Sequence, residues 1–120
     1  MKVIKSFQYA FNGIKATFLS ELNFKIHLIF TLVVIVSGAY FQIPLPQWLA
    51  IILCIGMVLS FELVNTAMEK LCDSLHPEIH PTIKMIKDIT AAAVFIVAII
   101  SVIVAMLIFL PHFLSLKIFK

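Results

Sequence analysis

Charged residues are scarce in this chain of 120 residues: they make up 12% of it, against 62% hydrophobic residues. No charged side chain occurs between Lys25 and Glu62 or between Asp88 and Lys117. Each gap is longer than the roughly 20 apolar residues that cross a bilayer. The mean hydropathy of +1.13 also lies outside the usual composition of soluble domains. The lack of charge therefore excludes a soluble globular domain and predicts an integral membrane protein.

Glycine is rare as well. The three glycines, Gly13, Gly38 and Gly56, are scattered along the chain, so the sequence has no Gly-rich phosphate-binding loop. No serine stands in the sequence context of a nucleophile elbow. Any phosphoryl chemistry in this chain must hold its nucleotide without a P-loop.

Metal motifs built on cysteine or histidine are also missing. The two cysteines, Cys54 and Cys72, do not have metal-ligand spacing, and we interpret them as helix-packing residues. The four histidines share no ligand spacing either. We interpret His27, together with Lys25, as a membrane-interface residue.

The uncharged stretches divide into three predicted transmembrane helices. The first gap is long enough for two spans, and two prolines in FQIPLPQW at 41–48 break it. We predict spans at about 26–44, 48–70 and 89–111, within a single domain covering 1–120.

The first part of the chain, about 3–24, predicts an amphipathic surface helix. Its lysines are spread along the segment instead of preceding a short apolar core, which argues against a cleavable signal peptide. Its apolar side chains recur at helical spacing, and such a helix lies in the membrane interface. The residues of this stripe are Phe7, Ala10, Phe11, Ile14 and Phe18.

The placement of lysine predicts the orientation. Lysines cluster in the N-terminal segment and in the 70–88 segment, whereas the 42–47 connection has none. Because cytoplasmic flanks retain positive charge, both charged segments should face the cytoplasm. The net charge of +3 gives no reason to invoke nucleic acid.

Four polar residues of the segment SFELVNTAMEKLCD, at 60–73, share one face of the second span. Glu62, Asn65, Glu69 and Asp73 fall within an arc of about 80° on an α-helix. A lone glutamate in a span is as consistent with a pore-facing or helix-packing role as with a functional site. Four acidic or amide groups on one arc instead predict a cation site, and oxygen ligands favour Mg²⁺.

The segment that follows carries complementary charge. Pro77 and Pro81 end the helix, and Lys84, Lys87 and Asp88 lie on the first turns of the next one. Lys84 alone is typical of a positive-inside anchor. Lys87 could meet phosphate charge, and Asp88 could accept a hydrogen bond from a ribose or an amine.

These two segments resemble the prokaryotic diacylglycerol kinase family, small trimeric membrane enzymes. The shared signature is Glu-x-x-Asn-(Thr/Ser)-Ala-x-Glu with Asp four residues on, here in FELVNTAMEKLCD, followed by Lys-Asp and a run of small residues in HPTIKMIKDITAAAV. SFQYAFNGI, SELNFKIH and IFLP are similar to further parts of the family, so the likeness covers almost the whole chain.

The resemblance implies roles for individual residues in an ATP- and Mg²⁺-dependent kinase that forms a homotrimer. Glu62 is implied as the general base for the lipid hydroxyl, and Glu21 and Glu69 as Mg²⁺ ligands. Asn23, Phe24 and Ala91 match positions that line the lipid site, together with Glu62. The positions implied in nucleotide binding are Tyr9, Asn65, Asp73, Glu78, His80, Lys87 and Asp88.

Two differences from the family's sequence pattern concern the choice of lipid acceptor and the binding of the nucleotide. Ala91 stands where the Gram-negative diacylglycerol kinases have serine, and the HPxxKxxKDxxAAAV form is closer to the branch that phosphorylates undecaprenol. Basic residues common near the surface helix are absent or are lysine here, as at Lys2 and Lys25. The resemblance thus favours undecaprenol over diacylglycerol as acceptor. The alternative hypothesis is a non-enzymatic channel or assembly subunit in which Glu62 lines a cation path.

Overall fold

The chain forms four α-helices in a computed structural model, which describes residues 2–75 and 80–116. The helices are α1 (Lys2–Ser20), α2 (Leu22–Phe41), α3 (Leu45–Leu75) and α4 (Pro81–Leu114). Three of them, α2 to α4, are long and apolar enough to cross a membrane, in agreement with the three predicted spans. The protein is thus all-helical.

The break between α1 and α2 falls at Glu21. This residue has extended backbone angles, φ −119° and ψ 115°, and so cannot continue the helix. The first helix therefore ends at Ser20 instead of near residue 24, and Asn23 and Phe24 belong to the first turn of α2. The break also places the Glu21 carboxylate at the junction of two helices.

The connection between α2 and α3 is a tight turn, here called the hairpin end. Gln42 adopts the left-handed conformation, with φ 50° and ψ 53°, and the prolines allow α3 to begin at Leu45. The Trp48 ring packs on Gly38, where an added Cβ would lie 2.7 Å from a ring carbon. Glycine at this position therefore permits the close approach of α2 and α3.

The buried core lies near the hairpin end. Ile43, Ile51 and Ile108 form the cluster, and side chains from all three long helices pack around it. At the same end, His112 Nε2 lies 3.2 Å from Gln47 Oε1 and joins α4 to α3. These contacts set the rotation and relative depth of the helices for the rest of their length.

The opposite end of the bundle is here called the charged end, and α3 is long enough to extend there beyond the hydrocarbon core of a bilayer. With 31 residues, α3 is about 46 Å long, whereas the hydrocarbon core is about 30 Å thick. Glu62 stands seventeen residues after the start of α3, a rise of about 26 Å, and therefore lies near the edge of the hydrocarbon. Glu69 and Asp73 lie further along, at a depth that water can reach.

The helices leave much apolar surface uncovered. α3 packs extensively on α4 and less on α2, while α2 and α4 touch each other little. The molecule measures 57 × 41 × 22 Å, so its thinnest dimension is about two helix diameters. Few side chains of the three spans are therefore buried within the chain.

Candidate active site

A buried carboxylate marks the boundary between the apolar spans and the charged end. Glu62 is 5% exposed, and Thr66, one turn further along α3, is 4% exposed. Because an unpaired carboxylate is costly in such surroundings, its neighbours are informative. His27 on α2 lies opposite, with Nε2 3.4 Å from Glu62 Oε1.

His27 is the residue of this site that the sequence did not indicate. The sequence indicates a membrane-interface residue, yet the ring faces Glu62 and its side chain is only 24% exposed. The available signal was a histidine just inside an otherwise apolar span, at the same end of the bundle as Glu62. The two side chains meet because of the relative rotation of α2 and α3, which residue spacing does not reveal.

Side chains whose oxygen atoms could bind a cation follow Glu62 along α3. Asn65 Nδ2 donates to Glu69 Oε1 at 3.2 Å, as the spacing of one turn allows. The other side-chain atom of this amide, Asn65 Oδ1, is buried and has no hydrogen-bond partner among the described residues. A buried acceptor without a donor is unusual in a folded protein and identifies a position where a ligand or a water would be accommodated.

Glu21 approaches the same neighbourhood from the junction of α1 and α2. Glu69 and Glu21 both lie near enough to Glu62 to repel its charge. Across the described residues, however, no three His, Cys, Asp or Glu side chains converge closely enough to hold a metal by themselves. An ion here would need ligands from a bound substrate, from water or from a partner subunit.

Two ion pairs lie at the charged end. Lys87 Nζ donates to Asp73 Oδ1 at 2.7 Å and links α4 to α3. Lys84 Nζ donates to Asp88 Oδ2 at 2.7 Å within α4. Both pairs are solvent-accessible, and such pairs contribute little to stability. A phosphate could replace either carboxylate as the partner of its lysine at little cost.

The remaining predicted site residues are more dispersed. His80 caps α4 by accepting from Thr82 N at 3.2 Å, and Tyr9 is exposed on α1. Asn23 and Ala91 are exposed, whereas Phe24 is 2% exposed and packs inside the chain. Glu78 lies outside the described residues.

An apolar cavity of about 230 Å³ opens between α2, α3 and α4, on the hairpin side of Glu62. Its wall includes His27 and Val58, and Val58 precedes Glu62 by one helical turn. Glu62 is not one of the lining residues, but it lies directly behind His27, whose Nε2 is 3.4 Å from Glu62 Oε1. The other lining residues are Phe30, Thr31, Val34, Ile51, Cys54, Ile55, Ala98, Ser101, Val102, Val104 and Ala105.

Comparisons with known proteins identify the family of this chain. Residues 8–109 match the sequence profile of the family described as prokaryotic diacylglycerol kinase. The chain is 39% identical over 110 residues to the undecaprenol kinase of Bacillus subtilis, covering 92% of this chain and 89% of that protein. It is 36% identical over 120 residues to the diacylglycerol kinase of Synechocystis sp., covering 97% of this chain and 67% of that protein.

A third relative is less similar in sequence, but the match also covers most of both proteins. The diacylglycerol kinase of Escherichia coli is 26% identical over 112 residues, covering 93% of this chain and 92% of that protein. These relatives are lipid kinases, so the hypothesis of a non-enzymatic channel loses its support. The expected resemblance is confirmed: this chain is a membrane lipid kinase that belongs to the prokaryotic diacylglycerol kinase family.

Proposed function

We propose that this kinase transfers the γ-phosphoryl group of MgATP to the hydroxyl of undecaprenol, at the cytoplasmic face of the bacterial inner membrane. The observation that carries the proposal is the position of Glu62, which is buried against His27, a residue of the apolar cavity wall, and is followed on the next two helical turns by Asn65 and Glu69. A lipid alcohol can reach this carboxylate from the hydrocarbon side, and a nucleotide can approach from water.

Glu62 acts as the general base. Its carboxylate accepts the proton of the lipid hydroxyl while the alcohol oxygen attacks the γ-phosphorus, and the bond from that phosphorus to the β–γ bridging oxygen breaks to release ADP. Phosphoryl transfer is promoted mainly by positioning and charge neutralisation, so a carboxylate fixed at the lipid hydroxyl is the principal catalytic requirement on the acceptor side.

The residues toward the charged end suit Mg²⁺ and the nucleotide phosphates. Mg²⁺ typically takes one or two carboxylates and completes its shell with phosphate oxygens and water, so two carboxylates suffice. Glu69 and Glu21 would supply them, and Asn65 Oδ1 is an oxygen acceptor without a protein donor among the described residues. When bound, Mg²⁺ neutralises charge that develops on the phosphates.

Further residues would hold the nucleotide. Lys87 is placed to exchange Asp73 for a phosphate oxygen, because its present ion pair is exposed. Asp73, Asp88, Tyr9, His80 and Glu78 are proposed to contact the rest of ATP, on the basis of their match to the family pattern.

The character of the cavity supports undecaprenol over diacylglycerol. Diacylglycerol carries two ester groups close to its hydroxyl, and burying them without hydrogen-bond donors would be costly. A polyprenol is hydrocarbon from the hydroxyl-bearing carbon onward and therefore suits a mostly apolar wall, in which His27, Thr31 and Ser101 are the residues with side-chain N–H or O–H groups. The similarity to a protein named undecaprenol kinase points the same way. Ala91 and Asn23 would contact the acceptor at the mouth of the site.

Lysine placement supports a cytoplasmic N-terminus and active site, with α1 lying on the membrane surface.

The test of the proposed function is a direct comparison of rates on the two lipid alcohols. The purified protein in detergent micelles receives labelled ATP, Mg²⁺ and either undecaprenol or diacylglycerol at equal mole fraction. We expect faster labelling of undecaprenol. A faster initial rate on diacylglycerol would overturn the acceptor assignment, and labelling of neither alcohol would overturn the proposed function.

A further inference from the structure

His27 occupies a position that the proposed phosphoryl transfer leaves without a role. Its ring lies between the apolar cavity, whose wall it helps to form, and the buried carboxylate of Glu62. A hydroxyl that enters from the cavity therefore passes this imidazole before it reaches Glu62. Thr31, one turn along α2, lines the same cavity and donates through Oγ1 to the His27 backbone carbonyl at 2.8 Å.

The surroundings of Glu62 give this histidine a function. Glu69 and Glu21 repel the Glu62 charge, whereas His27 brings a ring nitrogen, Nε2, to 3.4 Å from Glu62 Oε1. A carboxylate that is buried beside two like charges would turn toward water unless a donor held it toward the membrane side. The 3.4 Å separation of Nε2 and Oε1 is long for a hydrogen bond, but catalytic hydrogen bonds commonly shorten when substrate binds.

We propose that His27 is a positioning residue for Glu62. In the tautomer that carries hydrogen on Nε2, it donates to Oε1 and directs the second carboxylate oxygen toward the acceptor hydroxyl. The proton of the alcohol then moves to Glu62, and His27 keeps its own hydrogen throughout. This inference rests on the proposed role of Glu62 as the general base.

A donor role and a simple packing role predict different outcomes for conservative variants. Glutamine places an N–H donor close to the position of histidine Nε2, asparagine places it close to Nδ1, and leucine retains bulk without a donor. If the Nε2 hydrogen bond matters, only glutamine should preserve the rate. If the ring only fills space, leucine and glutamine should behave alike.

The experiment measures kcat with saturating polyprenol, together with KM for MgATP, for His27→Leu, His27→Asn and His27→Gln. We expect leucine and asparagine to lower kcat by about 10- to 100-fold, as loss of a partner that orients a reacting group commonly does. We expect KM for MgATP to change by less than about twofold, because the contact is made on the acceptor side. His27→Gln should remain within about threefold of the unmodified protein.

His112→Leu is the matched control. It also removes a contact between a histidine and a polar side chain of α3, but at the hairpin end, away from Glu62. Its kcat should stay within about twofold of the unmodified protein. If His27→Leu does not fold, the comparison of the glutamine and asparagine variants carries the test by itself.

Two results would overturn the inference: an unchanged kcat in His27→Leu, or equal losses in the glutamine and asparagine variants. A parallel assay of Glu62→Gln separates this failure from failure of the proposed function. An inactive Glu62→Gln beside a fully active His27→Leu removes only the role of His27. A fully active Glu62→Gln removes the general base itself.

Discussion

Glu62 and Glu69 lie two turns apart on one helix but in different surroundings. Glu62 is buried beside His27, and Glu69 is only partly buried and accepts a hydrogen bond from Asn65. Two turns correspond to about 11 Å of rise, which separates the proposed acceptor hydroxyl from the metal and the phosphates. The two glutamates should therefore fail in different ways when each is changed.

Replacement of Glu62 by glutamine should abolish transfer without affecting nucleotide binding. The amide keeps the shape but cannot accept the hydroxyl proton, so we expect kcat to fall by at least about 100-fold. MgATP affinity, measured by calorimetry or by displacement of a fluorescent analogue, should stay within about twofold. A parallel loss of MgATP affinity would place Glu62 in the nucleotide site instead.

Replacement of Glu69 by glutamine should instead appear as a change in Mg²⁺ dependence. Loss of one anionic ligand should raise the Mg²⁺ concentration needed for half-maximal rate by about tenfold or more. The measurement is initial rate against free Mg²⁺ at fixed ATP. An unchanged Mg²⁺ curve, even with a lower maximal rate, would contradict the assignment of Glu69 as a metal ligand.

Lys87 gives a third contrast at the charged end. Because its pair with Asp73 is accessible to solvent, Lys87→Ala should leave the melting temperature nearly unchanged. If Lys87 contacts phosphate, the same variant should raise KM for MgATP by about tenfold. Lys70→Ala, which removes another exposed lysine at this end, is the control and should leave KM unchanged.

At the scale of the helices, α2, α3 and α4 pack tightly at the hairpin end and leave a cavity toward Glu62. Ile43, Ile51 and Ile108 fill the space at the hairpin end. Small side chains of α4, including Ala98 and Ala105, keep the cavity open. For comparison, an apolar cavity of about 150 Å³ accepts a benzene molecule. The cavity can therefore hold a short length of hydrocarbon chain.

Filling the cavity should affect the lipid substrate alone. Ala98→Phe projects an aromatic ring into the space between the helices, and we expect KM for the lipid alcohol to rise by about tenfold while KM for MgATP is retained. Ile99→Phe, at the neighbouring exposed position of α4, is the matched control. Equal effects of the two variants would show that the cavity does not receive the acceptor.

At the scale of the whole molecule, one chain offers broad apolar faces. The layer of α2, α3 and α4 has uncovered surfaces, and no self-sufficient metal cluster occurs within residues 2–75 and 80–116. Association of copies through these faces would bury helix surface and enclose the site. This geometry is consistent with the homotrimer that the family resemblance implies.

The oligomeric state can be measured directly. We expect the detergent-solubilised protein to have a protein mass of three times 13.5 kDa, by light scattering with correction for bound detergent or by native mass spectrometry. A monomer that retains full kinase activity in the same detergent would contradict the trimer as the functional unit.

The sequence by itself determined the membrane location, the three spans and the polar stripe of α3. Long uncharged stretches can satisfy their backbone groups in lipid only as helices, and helical periodicity places Glu62, Asn65, Glu69 and Asp73 on one face. Relations within a single helix can be calculated from residue spacing alone. Sequence similarity also identified the lipid kinase family to which the chain belongs.

Only the tertiary structure decided which groups meet across helices. It paired His27 with Glu62, brought Glu21 toward the same carboxylate, joined Lys87 to Asp73 and buried Phe24 inside the chain. These relations depend on the rotation and depth of each helix, which are set by contacts at the hairpin end such as Trp48 on Gly38. Residue spacing carries no information about that packing, and for this reason the sequence placed His27 at the membrane interface instead of beside the proposed base.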